Sequence, residues 1–416
     1  MKHRPACPPP RRVPRAVLAA LVLAIQLPSG CVTLKRHVAE CRPLPRARGL
    51  AARDLETVLT LPESEIDLGR AALLVARPEL EGGALARALA RLDAVAQKVR
   101  RRVGTGASPR EAILEMNAVV LDRGRLPPHR TLDAGDVPAP LAGAEQFDPV
   151  RVLETGEGDC VARSILYLAV AERAGLPFRL CVAPGHVFVR YDDGLWRANV
   201  ETTRGGRCPP DLYYCFWRRA RPEALARGAY LRSESKREAL ATVLALHAGF
   251  LAREGRLAQA EREATLAIAV KPRFPPAYVN RGVARYAAGR REEALADYRA
   301  ALACDPASPA ALNNLAFSLI DRPRPAPGDV ARARRLALRA LQASPRGDRR
   351  LQAGLHRTAA RTLALAGEPR AALRHLALAA RCVPDRVDYR RAYDEALVAW
   401  RAGRPLPPLA PKKATP

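Results

Sequence analysis

Cys160, His186 and Glu201 are the residues whose types and spacing point to chemistry. Cys160 stands where a turn rich in glycine and acid, "GEGDC", passes into the apolar run "VARSILYLAVAERAG". A thiol in that position can be a packed core side chain, half of a disulfide, a metal ligand or a nucleophile. Asp159 is a capping residue and Gly175 a helix stop, so a helix over 160–174 is expected to begin on Cys160. The partial positive charge at a helix N-terminus favours thiolate over thiol. A cysteine nucleophile also needs a base and a group that orients the base.

His186, in "APGHVFVRY", is the candidate base. "FRLCVA", "HVFVRYD" and "LWRANVETT" read as strands because β-branched and aromatic residues crowd them, and "DDG" at Asp192 to Gly194 reads as a hairpin turn. Side chains alternate along a strand, so His186, Phe188 and Arg190 point one way, while Arg197, Asn199 and Glu201 share a face of the next strand. A two-residue turn at Asp193-Gly194 pairs 190 with 197 and 186 with 201, which sets Glu201 opposite His186. A turn at Asp192-Asp193 would set Asn199 there instead. Asp-Gly is the better two-residue turn and favours Glu201. Tyr191, Trp196 and Trp217 are expected in the core. No CxxC or HxxxH spacing appears, so no metal and no cofactor is expected. Cys208 and Cys215, across a short loop, are the best-placed pair for a disulfide in an exported chain.

In this order, "GDC", "PGHVFVRY" and "NVETT" resemble the transglutaminase-like superfamily of papain-like thiol enzymes, over roughly Glu65 to Arg207. The resemblance implies Cys160 as nucleophile, His186 as general base and acid, and Glu201 as the group that orients His186. That family commonly carries aspartate in "VDPT" where "NVETT" stands here, so Asn199 stays as an alternative third member. The backbone N–H of Cys160 is the oxyanion donor in hand. Glu154 stands where a glutamine ahead of the cysteine would have supplied another.

The elements that must position these residues are legible on either side. Residues 49–217 are expected to form one α+β domain of this transglutaminase-like, papain-like type. "EIDLGRAALLVA" and "ALARALARLDAVAQKVRRRV" place apolar residues at helical spacing. Ser108, Pro109 and Glu111 predict a capped helix over 108–121. Residues 123–149 read as a long loop rich in Pro, Gly and Asp. A linker is expected over 218–240. Beyond it, Gly255, Ala260, Ala267 and Pro272 recur thirty-four positions on as Gly289, Ala294, Ala301 and Pro306. That period resembles the tetratricopeptide repeat. It predicts an all-α solenoid over 241–402, with repeats at 241–274, 275–308, 309–347 and 353–386, a capping helix, and a disordered tail over 403–416.

At the N-terminus, "MKHRPACPPPRRVPR" followed by the apolar run Ala16 to Leu27 has the form of a signal peptide over 1–31. "PSGC" resembles a lipoprotein cleavage site, with Pro28 where leucine is favoured, which makes Cys31 a lipidation candidate and 32–48 a tether. Export to the periplasm or cell envelope, with at most a lipid anchor in the membrane, is therefore expected. The net charge of +27 is almost all arginine spread from end to end, unlike the clustered footprint of a nucleic-acid binder, so no nucleic-acid partner is expected. Two functions fit: a thiol enzyme acting on amide bonds, as peptidase, amidase or acyl transferase, with the repeats recruiting a protein or peptide in their groove; or a non-catalytic scaffold that binds partners through the repeats.

Overall fold

Polar caps open the first helices. Asp54, Asp67 and Ser108 accept hydrogen bonds from the free N–H groups of α1 (Leu55–Thr60), α2 (Leu68–Ala76) and α4 (Pro109–Val120), with α3 (Gly82–Val103) between the last two. Ser108 and Glu111 form the expected reciprocal capping box. The computed structural model describes residues 54–121, 147–344 and 348–408. The signal segment 1–31 with Cys31, the tether 32–48 and nearly all of the 123–149 loop lie outside the described residues. The loop's last residue, Pro149, opens a short helix, α5 (Pro149–Thr155), which the sequence did not predict.

The helix that starts on Cys160 is α6 (Cys160–Ala174), with Asp159 accepting from the Val161 and Ala162 N–H groups and Gly175 in the left-handed region at its end. An unbroken run from Val161 to Ala171 is buried, because helices on one side and the sheet on the other leave α6 no solvent face. Its charged residues are paired: Arg173 reaches Asp67 at 2.7 Å and Asp93 at 2.9 Å. Strands β1 (Phe178–Ala183), β2 (His186–Asp192) and β3 (Arg197–Val200) form an antiparallel sheet in sequence order.

The hairpin register differs from the expected one. Asp192 pairs with Arg197 and Arg190 with Asn199, so the connection has four residues instead of two. The reason is local: the Asp193 carboxylate accepts from the Leu195 and Trp196 N–H groups, and Asp192 accepts from Gly194 N–H. The shift is by two residues, which preserves the face each side chain occupies.

Residues 218–240, expected as a linker, are packed structure. Helix α7 (Asp211–Trp217) and α8 (Pro222–Ala226) lead to a stretch that runs beside β1, where Leu231 N–H donates to Val182 and Glu234 N–H to Leu180. That stretch covers a sheet edge that would otherwise expose unpaired backbone groups. Glu234 is itself buried, paired with Lys271 and accepting from Thr242 at 2.9 Å.

The rest is helix hairpins: α9 (Lys236–Arg253) with α10 (Leu257–Val270), α11 (Pro275–Ala287) with α12 (Arg291–Cys304), α13 (Pro309–Ile320) with α14 (Pro327–Ala343), and α15 (Arg349–Leu365) with α16 (Pro369–Cys382), followed by α17 (Val387–Arg401). The recurring alanines Ala260, Ala267, Ala294, Ala301, Ala372 and Ala379 are fully buried at the crossings. Gly282 is another such position: a Cβ there would meet the Tyr298 ring at 2.6 Å. One apolar core runs from α1 through the sheet into α9 and on to Phe274 and Ala277, so the thiol region and the first repeat are built around the same interior. The described protein is thus mostly helical, with one three-stranded sheet.

Candidate active site

The turn that delivers Cys160 is built by close packing. Gly156 takes a left-handed conformation to end α5, and Gly158 lies so near Val152 that a Cβ would meet its Cγ2 at 2.7 Å. The buried Arg163 holds the turn from the next helical turn, donating to the carbonyls of Gly158 and Gly156 at 2.9 Å each. "GEGDC" is therefore a turn whose shape leaves two positions to glycine, and Asp159 caps the helix beyond it.

His186 and Glu201 meet. His186 Nε2 lies 3.0 Å from both oxygens of the Glu201 carboxylate, and both side chains are buried. They share a face as the alternation of the strands requires, although Glu201 lies diagonal to His186 and beyond the end of the ladder, where it bridges to Arg207. Asn199 is elsewhere. It pairs with Arg190, accepting from its Nε at 2.7 Å, and donates to Pro209 and Asp211.

Glu201 has a donor that the sequence did not reveal. Tyr214, on α7, donates its hydroxyl to Glu201 Oε1 at 2.7 Å. Its ring also stacks on Phe188 at 4.0 Å between centroids. The helix that carries Tyr214 is anchored by the buried Arg190, which donates to Asp211 Oδ1 at 2.5 Å and to the Leu231 carbonyl at 3.0 Å. "DLYYCFW" announced an aromatic segment; which ring would turn inward, and onto what, depended on the packing of α7 across the sheet. Ser164 of α6 meets Thr202 at 3.1 Å, tying the thiol helix to the end of β3.

Burial opposes the negative charge of Glu201, but the facing imidazole and the bonds from His186 and Tyr214 prevail and hold the carboxyl below its usual range. Burial also lowers His186, only partly offset by Glu201. The resting pair is therefore a neutral imidazole donating Nε2–H to a carboxylate, which leaves Nδ1 as the basic nitrogen.

Cys160 is half-buried at the head of α6. Its thiol departs from the expectation set by the helix terminus. Burial pushes it up to about 12, and the charge of Asp159 adds to the rise, while the Val187 N–H beside His186 opposes it. Burial first, and the charge of the capping carboxylate second, thus outweigh what the helix terminus was expected to do for the thiol. Glu201 also bears on the thiol. Among the described residues no hydrogen bond joins Cys160 to the imidazole.

Of the remaining expectations, Tyr191 is in the core, whereas Trp196 and Trp217 are 36% and 45% exposed. Cys208 and Cys215 are both free thiols.

Residues 150–245 match the family model of the transglutaminase-like superfamily. The match spans α5 to the first repeat helix, further than the expected boundary at 217. No curated protein matches the chain. Three solved structures are similar to it. A Pseudomonas aeruginosa PilF structure is 17% identical over 39% of this chain and 69% of its own, with a TM-score of 0.34. The tetratricopeptide-repeat protein TTC0263 of Thermus thermophilus is 19% identical over 39% of this chain and 90% of its own, at 0.31. Menin, in a structure described as revealing its binding site for the Mixed Lineage Leukemia protein, is 13% identical over 82% of this chain and 93% of its own, at 0.41.

Proposed function

We propose that the protein is a thiol enzyme that breaks or exchanges amide bonds through Cys160, His186 and Glu201, and that its repeats recruit a protein or peptide. The observation that supports this most directly is the buried His186–Glu201 pair, closed by Tyr214, one residue from the backbone N–H that faces the Cys160 thiol. Cys160 Sγ attacks a carbonyl carbon as its proton passes to His186 Nδ1. The raised pKa of the thiol makes this a transfer coupled to attack, since no standing thiolate is available. The Cys160 backbone N–H, at the first helical position where no intrahelical acceptor exists, faces the developing oxyanion. His186 then gives the proton to the departing amine, leaving a thioester on Cys160. Water or a second amine attacks the thioester, loses its proton to His186, and the thiol is restored. Glu201 fixes the imidazole tautomer and stabilises the imidazolium at each transfer.

The experiment is acylation of the purified protein by an activated acyl ester, followed by mass measurement of the intact chain and of Cys160→Ala. The reading requires one acyl group per chain on Cys160, released with time, and none on the variant. Equal acylation of the variant would sink it. The raised thiol favours a second reading, a binding scaffold whose thiol domain no longer turns over. In that case partner capture survives Cys160→Ala and disappears when residues 309–402, the repeats beyond the shared core, are deleted.

We also place the protein in the cell envelope, on the form of residues 1–31 alone, with Cys31 as the lipidation candidate; among the described residues no helix is long and apolar enough to cross a membrane. Mass analysis of the mature N-terminus tests export and lipidation together.

A further inference from the structure

Arg218 comes directly after α7. Its backbone N–H closes the last turn onto the Tyr214 carbonyl at 2.9 Å, so it lies one helical turn beyond the tyrosine that holds Glu201, on the same side of the helix. Its side chain is half-buried. Among the described residues it has no carboxylate partner. The acids nearest the site are already engaged: Glu201 by His186, Tyr214 and Thr203, and Asp159 by the N–H groups of Val161 and Ala162. A second cation stands close by. Arg204, in the turn after β3, lies over the Tyr213 ring at 5.7 Å. The charge of Arg218 reaches Cys160, His186 and Glu201 alike, and that of Arg204 reaches His186.

Activating the nucleophile is a poor account of this guanidinium, because the thiol stays near 12 with it in place. Among the described residues no carboxylate bonds this half-buried arginine, and the acid its charge reaches, Glu201, is already bonded by His186, Tyr214 and Thr203, so the guanidinium keeps a fork that fits a carboxylate in bidentate fashion. We propose that Arg218, supported by Arg204, selects an acyl substrate that carries a carboxylate beside the carbonyl attacked by Cys160. An acidic peptide is the class of substrate this describes. The proposal rests on the thiol-enzyme reading for the word substrate, but the charge it assigns to the site can be measured without turnover.

The probe is alkylation of Cys160 by iodoacetate and by iodoacetamide, which differ in a carboxylate at similar size, with exposed Cys208 as the internal reference. Site occupancy is read by peptide mass. The ratio of the two rates cancels the thiolate fraction that both reagents require. At low ionic strength the iodoacetate-to-iodoacetamide ratio should be higher at Cys160 than at Cys208. It should fall about three- to tenfold in Arg218→Gln and shrink towards the reference in high salt. Arg218→Lys should keep most of it. An unchanged ratio in Arg218→Gln overturns the proposal. So does a loss in Arg218→Lys equal to that in the glutamine variant, since that loss would come from altered packing and not from charge. If the ratio moves as expected while acylation of Cys160 by the activated ester fails, the anion site stands and the enzyme reading falls.

Discussion

Two histidines in this molecule meet a buried glutamate, and the pairs have different neighbours. His186 Nε2 lies 3.0 Å from Glu201, at the head of β2, with Cys160 facing the next residue of the strand. His247 Nδ1 lies 2.7 Å from Glu263, between α9 and α10, with Phe147 edge-on at 5.1 Å and Phe250 stacked at 5.9 Å. The second imidazole is as well oriented as the first, and among the described residues its buried Nε2 has no hydrogen-bond partner. What it has around it is aromatic rings and the side of a repeat helix. A histidine–carboxylate pair is thus a structural unit that two parts of the fold use; it becomes a candidate for chemistry only where a helix terminus brings a thiol to it.

The sharpest way to test that contrast is to remove the groups that differ. Cys160→Ala and His186→Ala should each lower acyl transfer by about 10⁴-fold or more, measured as initial rates, whereas His247→Ala should leave the rate per folded molecule within about twofold. Next in size, Glu201→Gln should cost about 10²- to 10⁴-fold in rate. The matching change at the other pair, Glu263→Ala, should appear in stability instead, at about 1–3 kcal/mol in urea unfolding, because it leaves a buried imidazole without its hydrogen-bond partner.

Proton linkage separates the groups further. His186 is lowered from 6.5, so the unfolded chain takes up protons below that pH that the folded one refuses; the site's contribution to stability should decline as pH falls from 6.5 through the lower folded value, whereas the rate should fall only through the folded value itself. Glu201 is also lowered, so its stabilisation is full above 4.5 and is lost as pH falls through its folded value. In the other direction, alkylation of Cys160 should keep rising towards pH 12, well past the point where an exposed thiol levels off. A plateau near neutrality would mean that the thiol is held as thiolate and that burial and Asp159 do not raise it. Among the site variants the smallest effect is expected for Tyr214→Phe, which removes one charge-assisted donor from Glu201: about 1.5 kcal/mol, seen as a roughly tenfold fall in rate with binding little changed.

Where local pattern decides, the chain was readable. The caps at Ser108 and Asp159, the glycine stop at Gly175, and the alanines spaced through the repeats are short-range signals, and each sits where its spacing implies. Strand parity was readable for the same reason. Side chains alternate with period two, so a register error of two residues left His186 and Glu201 on one face and even kept Arg190 and Asn199 there. The register itself was not readable, because Asp193 folds its own carboxylate back on the turn and lengthens it. Residues 218–240 looked like a linker because nothing in their own pattern shows that 231–234 will lie along β1.

Neighbours a few positions apart were enough for the helices that carry caps or a clear apolar period, for the repeat period, for the cysteine at a helix head and for the shared face of His186 and Glu201. Long-range packing was needed to put Glu201 and not Asn199 on the imidazole, to close the carboxylate with Tyr214 from another helix, to leave Arg218 with no carboxylate partner among the described residues, and to raise the Cys160 thiol by burial. Those outcomes depend on desolvation and on charges brought together from distant parts of the chain, and such terms act through space.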